Sequence, residues 1–339
     1  MEFSHKQAAN RFALAAVSFV GVMILLPITY SLAAEEPQQG SVVRLDPALD
    51  EIIAPEAKLE RLADVPGRFT REGPVWVRDG GYLIYTARNG DRNPGNPPAT
   101  DADIIKWDPR DGKVSVHVKS AKTDGHALDR QGRIVTAVNI GEGQIVRIEK
   151  DGRRTVLASH YNGTPLNPND LVYKSDGVLY FTSPARWGNK TDTASVFMLK
   201  EGQLQLLSPT AAAKIEHPNG LTFSADEKHL YATDNPRILK FDVMPDHTIA
   251  NGRVFFDMSG YQPFTNFPDG IRVDTKGNVF VTGPEGIWII SPAGRHLGTI
   301  IERNRPANMA FGAEDGKTLF ITSRPGLFRI PLKVAGPLP

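Results

Sequence analysis

One phrase, repeated six times, predicts an all-β ring of six four-stranded blades, a β-propeller. The phrase is a polar residue, a glycine or its stand-in, a short apolar run and a turn. Its copies begin at Glu72, Asp124, Asn169, Asn219, Asp269 and, more weakly, Ala307, at intervals of 52, 45, 50, 50 and 38 residues. That period is the length of one propeller blade. A second observation is what lies between the copies: short strand-like runs bounded by turn residues, with no run at helical spacing after residue 33. The third is composition, because 31 glycines and 26 prolines in 339 residues supply the turns that many short strands need.

Taken in order, residues 1–33 differ in kind from the rest. Lys6 and Arg11 precede an apolar run from Phe12 to Leu26, Pro27 interrupts it, and Ser31-Leu32-Ala33 places small residues where a signal peptidase reads. This layout predicts a secretory signal cleaved after Ala33 and an exported, periplasmic or secreted protein with no stable membrane association. The alternative is an uncleaved anchor. Residues 34–57, rich in Pro, Glu and Gln, read as a linker, and 58–335 as the propeller. The fifth repeat gives strands at Ile271–Val273, Asn278–Thr282, Gly286–Ser291 and His296–Ile301. The fourth copies it with Leu221–Ser224, His229–Thr233, Arg237–Val243 and Val254–Asp257. Glycines recur eight residues into four copies (Gly80, Gly132, Gly177, Gly277), where the first hairpin must turn. The last repeat supplies only Thr318–Thr322 and Gly326–Ile330 after its inner strand. Its fourth strand is expected from Lys58–Asp64, which would close the ring and cover an open edge.

Charge and motifs narrow the function. The 39 basic and 38 acidic residues give a net charge of +1 with no basic block, so nothing points to nucleic acid. The absence of cysteine excludes disulfides, thiolate metal sites and cysteine nucleophiles. There is no Gly-x-Ser-x-Gly elbow, no His-Glu-x-x-His pair and no phosphate-binding glycine loop; Gly141-Glu142-Gly143 reads as a hairpin turn. Two sequons, at Asn162 and Asn189, would matter only in a eukaryotic secretory pathway.

In a propeller every inner strand runs the same way along the channel, so the six leading residues lie at one height on one face. Glu72, Asp124, Asn169, Asn219 and Asp269 all end in oxygen-bearing groups, with Ala307 or Asn308 in the sixth place. Three clustered carboxylates repel one another unless a cation intervenes. Hard carboxylate and amide oxygens favour Ca²⁺, with Mg²⁺ and Mn²⁺ as alternatives and Zn²⁺ less natural. Asn-Gly and Asp-Gly are also ordinary turn formers, and a single such pair carries no weight. Glu72-Gly73-Pro74 fits that reading badly, since Glu has no special role in turns. His126 reads as packed or hydrogen-bonded, and Trp76, Tyr173 and Phe223 as packing between blades.

The chain resembles the gluconolactonase family, which includes the senescence marker protein and the luciferin-regenerating enzyme, from about Leu62 to Ile330. The resemblance rests on Glu72-Gly73-Pro74-Val75-Trp76, Asn167-Pro168-Asn169-Asp170-Leu171 with Tyr180-Phe181-Thr182, and His217-Pro218-Asn219-Gly220-Leu221. Phe267-Pro268-Asp269-Gly270-Ile271, Leu297-Gly298-Thr299-Ile300 and Asn308-Met309-Ala310-Phe311-Gly312 complete the ordered set. It implies one divalent metal at the channel mouth held by Glu72, Asn219 and Asp269, with Asn169 a ligand through water or a substrate contact. Two departures stand out: Ser183 where relatives often carry Asp, and Asp124-Gly125 where Asn-Gly is usual. The long polar loop Arg88–Asp103 is expected to hang over the site.

The activity these observations imply is metal-assisted hydrolysis of a lactone, a sugar lactone by resemblance. Asp269, or alternatively Asp124, would take the proton from the attacking water, and Asn169 and Asn167 would hold substrate hydroxyls. Two rivals use the same scaffold: phosphotriester hydrolysis at the same cation, and a non-catalytic propeller in which the metal is structural. Strictosidine synthase-like propellers are a further alternative, but they give no reason for the Glu-Gly-Pro-Trp and Pro-Asp-Gly combination.

Overall fold

A computed structural model describes residues 38–64, 70–90, 98–184, 194–207, 213–261, 266–324 and 326–337. The expected signal with its cleavage point, Asn189, and positions 91–97 of the loop after Arg88 lie outside them. Among the described residues no helix is long and apolar enough to cross a membrane.

Two short strands come first, β1 (Val42–Arg44) and β2 (Glu60–Ala63). The first blade is β3 (Thr70–Val77), β4 (Tyr82–Arg88), β5 (Ala102–Trp107) and β6 (Val114–Val118). The second is β7 (Thr123–Leu128), β8 (Ile134–Val138), β9 (Gln144–Ile148) and β10 (Arg154–Ala158). A small hairpin, β11 (His160–Tyr161) and β12 (Thr164–Pro165), leads to the third: β13 (Leu171–Tyr173), β14 (Leu179–Ser183), β15 (Ser195–Lys200) and β16 (Gln203–Leu207). The fourth is β17 (Pro218–Phe223), β18 (His229–Asp234), β19 (Arg237–Val243) and β20 (Ile249–Asp257). The fifth is β21 (Ile271–Val273), β22 (Val279–Gly283), β23 (Gly286–Ile290) and β24 (His296–Ile301). The sixth has β25 (Pro306–Gly312), β26 (Thr318–Ser323) and β27 (Gly326–Pro331), and its outer strand is β2. The all-β six-bladed propeller expected from the repeat is therefore the observed fold.

Every blade is an antiparallel meander, so the pleat turns alternate side chains toward the neighbouring blades. Closure works as expected: Glu60 pairs with Arg329 and Arg61 with Phe328. Packing reinforces it, because Trp76 of the first blade stacks on Phe320 of the sixth with ring centroids 5.5 Å apart. Trp76 and Phe223 are buried between blades as the sequence suggested.

The described part of 34–57 differs from the linker expected there. β1 adds a fifth strand to the fifth blade, with Val42 opposite Ile300 and Arg44 opposite Gly298. A 3-10 turn at Pro47–Glu51 follows, capped by Asp46, whose carboxylate accepts from the Ala48 amide at 2.8 Å. It delivers Leu49, Ile52 and Ile53 into a core shared with Ile287, Leu297 and Phe328. Arg44 locks the turn back on itself through the carbonyls of Ile53 and Ala54. Pro47 and Pro55 confine the helical spacing of these residues to one turn, yet their burial removes apolar surface from water and orders the segment.

Candidate functional site

The leading residues sit where the inner strands break regularity. In four blades the strand bulges at the repeated phrase, between Glu72 and Val75, Thr123 and His126, Pro218 and Leu221, and Pro306 and Asn308. In the other two the phrase immediately precedes the strand. A bulge re-aims side chains, which is why such irregularities gather at binding sites. Glu72, Asn169, Asn219 and Asp269 are each half-buried, and the residue after each is fully buried. The structure thus brings four of the expected site residues to one polar mouth of the channel.

The second letter of the phrase explains how the ring becomes so tight. A Cβ on Gly73, whose φ is +51°, would lie 2.5 Å from the Asp124 carbonyl, and one on Gly270 would lie 2.3 Å from Asn308 Oδ1. Successive blades touch there backbone to backbone. Only the third and sixth blades carry a side chain at this position, Asp170 and Asn308. They face each other across the ring and bond, Asn308 Nδ2 donating to Asp170 Oδ2 at 3.1 Å. Arg272 approaches the same carboxylate at 3.7 Å. Burial raises the Asp170 carboxyl, opposed by Arg272 and by the Asn308 hydrogen bond. This trio plugs the channel beneath the mouth.

A ring that the sequence reading passed over supports the mouth from behind. The second strands carry Thr86, Thr136, Thr182, Thr233, Thr282 and Thr322, all buried. Thr86, Thr182 and Thr233 donate across to the next blade, to the carbonyls of Asp124 (2.7 Å), Asn219 (2.5 Å) and Asp269 (2.9 Å). Thr282 accepts from the Asp269 amide at 2.7 Å, and Thr322 donates to the Asn308 carbonyl at 3.1 Å. The signal in the sequence is a threonine in every second-strand run.

The other expected site residues are held as follows. Asn167 donates its backbone N–H to Ser183 Oγ at 3.0 Å and its side-chain amide to the Pro184 carbonyl at 2.9 Å. Ser183 therefore does for the third blade what Asp234 does for the fourth, where that carboxylate accepts from the amides of Glu216 and His217. Asp124 is buried and fully engaged. Its Oδ1 pairs with Arg88 Nη2 at 2.7 Å, and its Oδ2 accepts from Asn139 (2.5 Å) and Asn169 (3.2 Å). Arg88, the last residue of β4, was expected only as the start of a loop. Nothing in the repeat marks it, because no one residue type recurs through the six blades at that place. His126 is buried, bonds Thr86 Oγ1 through Nε2 at 2.9 Å, and is held down to about 3 by desolvation.

Electrostatics single out Glu72. Burial raises its carboxyl well above the ordinary 4.5, and Asp269, Asp124 and Asp170 push the same way while Arg88 opposes them. When all four carboxylates are ionised, Arg88 and Arg272 leave two negative charges unmatched, the charge of one divalent cation. Among the described residues no group of three or more His, Cys, Asp or Glu side chains is spaced to hold a metal ion. Amide oxygens must therefore complete any ligand set. Asn219 fits that need: its Oδ1 is buried and, among the described residues, has no hydrogen-bond donor. An acceptor left in that state is costly unless something positive reaches it. The donors present, two carboxylates and one amide oxygen, suit a hard cation.

At the opposite end of the channel the same inner strands finish in an aromatic mouth. A cavity of about 560 Å³ there is lined by Trp76, Leu128, Tyr173, Phe223, Arg272 and Phe311, among others. Asp129, Asp226 and Glu227 also line it, but Asp129 is paired with Arg133 and Glu227 with Lys174, so the polar mouth is the stronger candidate site.

Comparison with known proteins bears on the family and the fold. The family described as SMP-30/Gluconolactonase/LRE-like region matches residues 70–324. A gluconolactonase of Zymomonas mobilis is 29% identical over 332 residues, covering 88% of this chain and 87% of that one. A 6-deoxy-6-sulfogluconolactonase of Pseudomonas putida is 27% identical over 241 residues, 66% of this chain and 77% of that one. Among solved structures, a gluconolactonase from Xanthomonas campestris superposes with a TM-score of 0.72 at 28% identity, covering 88% of this chain and 97% of that one. Regucalcin from Agrobacterium tumefaciens, a calcium-binding protein, shares the fold with a TM-score of 0.65 at 17% identity, over 82% of this chain and 95% of that one.

Proposed function

The chain belongs to the SMP-30/gluconolactonase/LRE-like family, and from that premise we propose that it hydrolyses a lactone, a sugar lactone in the first instance, at a divalent-cation site in the polar mouth. The observation that carries the metal is Asn219 Oδ1, a buried acceptor without a donor among the described residues, beside carboxylates that repel one another. Glu72, Asn219 and Asp269 would hold the ion, with Ca²⁺ favoured by their hard oxygens. When bound, the ion supplies Lewis-acid polarisation of the lactone carbonyl.

The chain's own residues do the rest. Asp269 accepts a proton from the attacking water as the new carbon–oxygen bond forms, and returns it to the ring oxygen as the old bond breaks, leaving a hydroxy acid. Asp124 is unsuited to that role because both its oxygens are already bonded. Asn169 and Asn167 hold substrate hydroxyls, their backbones fixed by the ring and by Ser183. The Asp170–Asn308 plug closes the channel beneath them.

Thermal melting of chelator-stripped protein with added Ca²⁺, Mg²⁺, Mn²⁺ or Zn²⁺ tests the ligand set. Wild type is expected to gain stability and Asn219→Ala to gain none. Equal gains would remove Asn219 from the site. Turnover of phosphotriesters but not lactones by the loaded protein would overturn the substrate class. We also propose that residues 1–33 direct export. A mature chain beginning at Ala34 is the expected N-terminal sequence, and one beginning at Met1 contradicts it.

A further inference from the structure

Asp124, the carboxylate that opens the second copy of the repeated phrase, does not add a ligand or a base, because Arg88 has taken it. The two side chains are both buried, only 4% exposed each, and meet at 2.7 Å. Arg88 Nη2 also donates to Asn139 Oδ1 at 2.8 Å and to the Thr123 carbonyl at 3.3 Å. Its Nε is buried, with no acceptor among the described residues. A buried ion pair with an unsatisfied donor is poor value for stability alone, since a well-packed apolar pair would serve as well. Its position explains it better, beside Glu72 and in contact with Asn169.

We propose that the Arg88–Asp124 pair is a positioning device that sets the charge of the mouth and the polarity of Asn169. This rests on the metal-dependent lactonase reading. The pair holds Asp124 out of the ligand set, so the cation meets two carboxylates rather than three and binds less tightly than the bare ring would bind it. An ionised carboxylate can only accept, so Asn169 must present Nδ2 to Asp124 Oδ2. That leaves Asn169 Oδ1 as the group offered to the site, an acceptor matched to a substrate hydroxyl. Asn139 is oriented by the same logic, its Nδ2 on Asp124 and its Oδ1 on Arg88. Two amides that could each point either way are thereby fixed by one ion pair.

The test is calorimetric titration of Ca²⁺ and Mn²⁺ into chelator-stripped wild type, Arg88→Met, Asp124→Asn, the double variant and Arg88→Lys. Arg88→Met frees a carboxylate and is expected to bind the cation about tenfold more tightly, while Asp124→Asn leaves an unpaired guanidinium and binds about tenfold more weakly. The double variant and Arg88→Lys, which preserve the charge balance, stay within about threefold of wild type. On a sugar lactone, Asp124→Asn is expected to raise KM more than it lowers kcat, because Asn169 loses its anchor. Equal cation affinity in all five proteins, or weaker binding by Arg88→Met, overturns the role of the pair while leaving the lactonase reading intact. No cation binding by wild type overturns both. Should Arg88→Met fail to fold, Arg88→Lys against Asp124→Asn carries the same contrast, and equal affinities there are equally fatal.

Discussion

Two rings lie one behind the other at the polar mouth, and they differ in how well they keep sixfold symmetry. The threonines of the second strands are the same residue in all six blades, and they bond backbone groups. The leading residues of the inner strands run Glu, Asp, Asn, Asn, Asp, Ala. A position that bonds inner-strand backbone in every blade is occupied identically. A ligand on the axis is met by few side chains of chosen chemistry, so its ring is broken. Symmetry here marks architecture, and departure from symmetry marks the site.

That contrast can be broken from either side. The largest effect is expected from the broken ring: Asp269→Ala should lower lactone turnover by about 10²–10⁴-fold while leaving the melting temperature in chelator nearly unchanged. Retention of turnover would show that the proton goes elsewhere. In the symmetric ring, Thr282→Val strands the Asp269 amide. A loss of about 1–3 kcal/mol in stability is expected, together with reduced turnover. Thr322→Val, in the blade whose leading residue is Ala307, should cost stability of a similar order with turnover per folded molecule preserved. Urea unfolding and steady-state kinetics on both variants separate architecture from chemistry. An equal loss of activity in the two would collapse the distinction.

The smallest effect is a pH dependence. In the folded, metal-free protein Glu72 titrates well above 4.5, raised by burial and by Asp269, Asp124 and Asp170. Unfolded, it titrates near its ordinary value. The fold therefore holds an extra proton between those two values, and this contribution to stability is lost as pH rises through the raised one. A cation requires the ionised form. The gap in melting temperature between loaded and stripped protein should widen over the same interval. A gap that narrows with rising pH would contradict Glu72 as a ligand.

Much of the fold was readable because the repeat is long and the blades are alike. The strands of the fourth and fifth blades begin and end close to where the turns placed them, except that β20 starts earlier, at Ile249, through bulges that pattern reading does not register. The closing strand was legible because a missing fourth strand is a countable deficit. Leu49, Ile52 and Ile53 were not, since their helical spacing lasts a single turn between Pro47 and Pro55, too short to read as a sustained period. Of the mouth, Glu72, Asn169, Asn219 and Asp269 stood out by repeat position. Arg88 and Asn139 did not, because each acts once and only through contacts between distant parts of the chain.

Sugar-lactone turnover by the stripped protein, before and after a divalent cation is restored, tests the central claim most directly. The account predicts that turnover disappears on chelation, returns with Ca²⁺ or another hard divalent ion, and does not return in Asn219→Ala. Turnover that survives chelation undiminished in both proteins would contradict it.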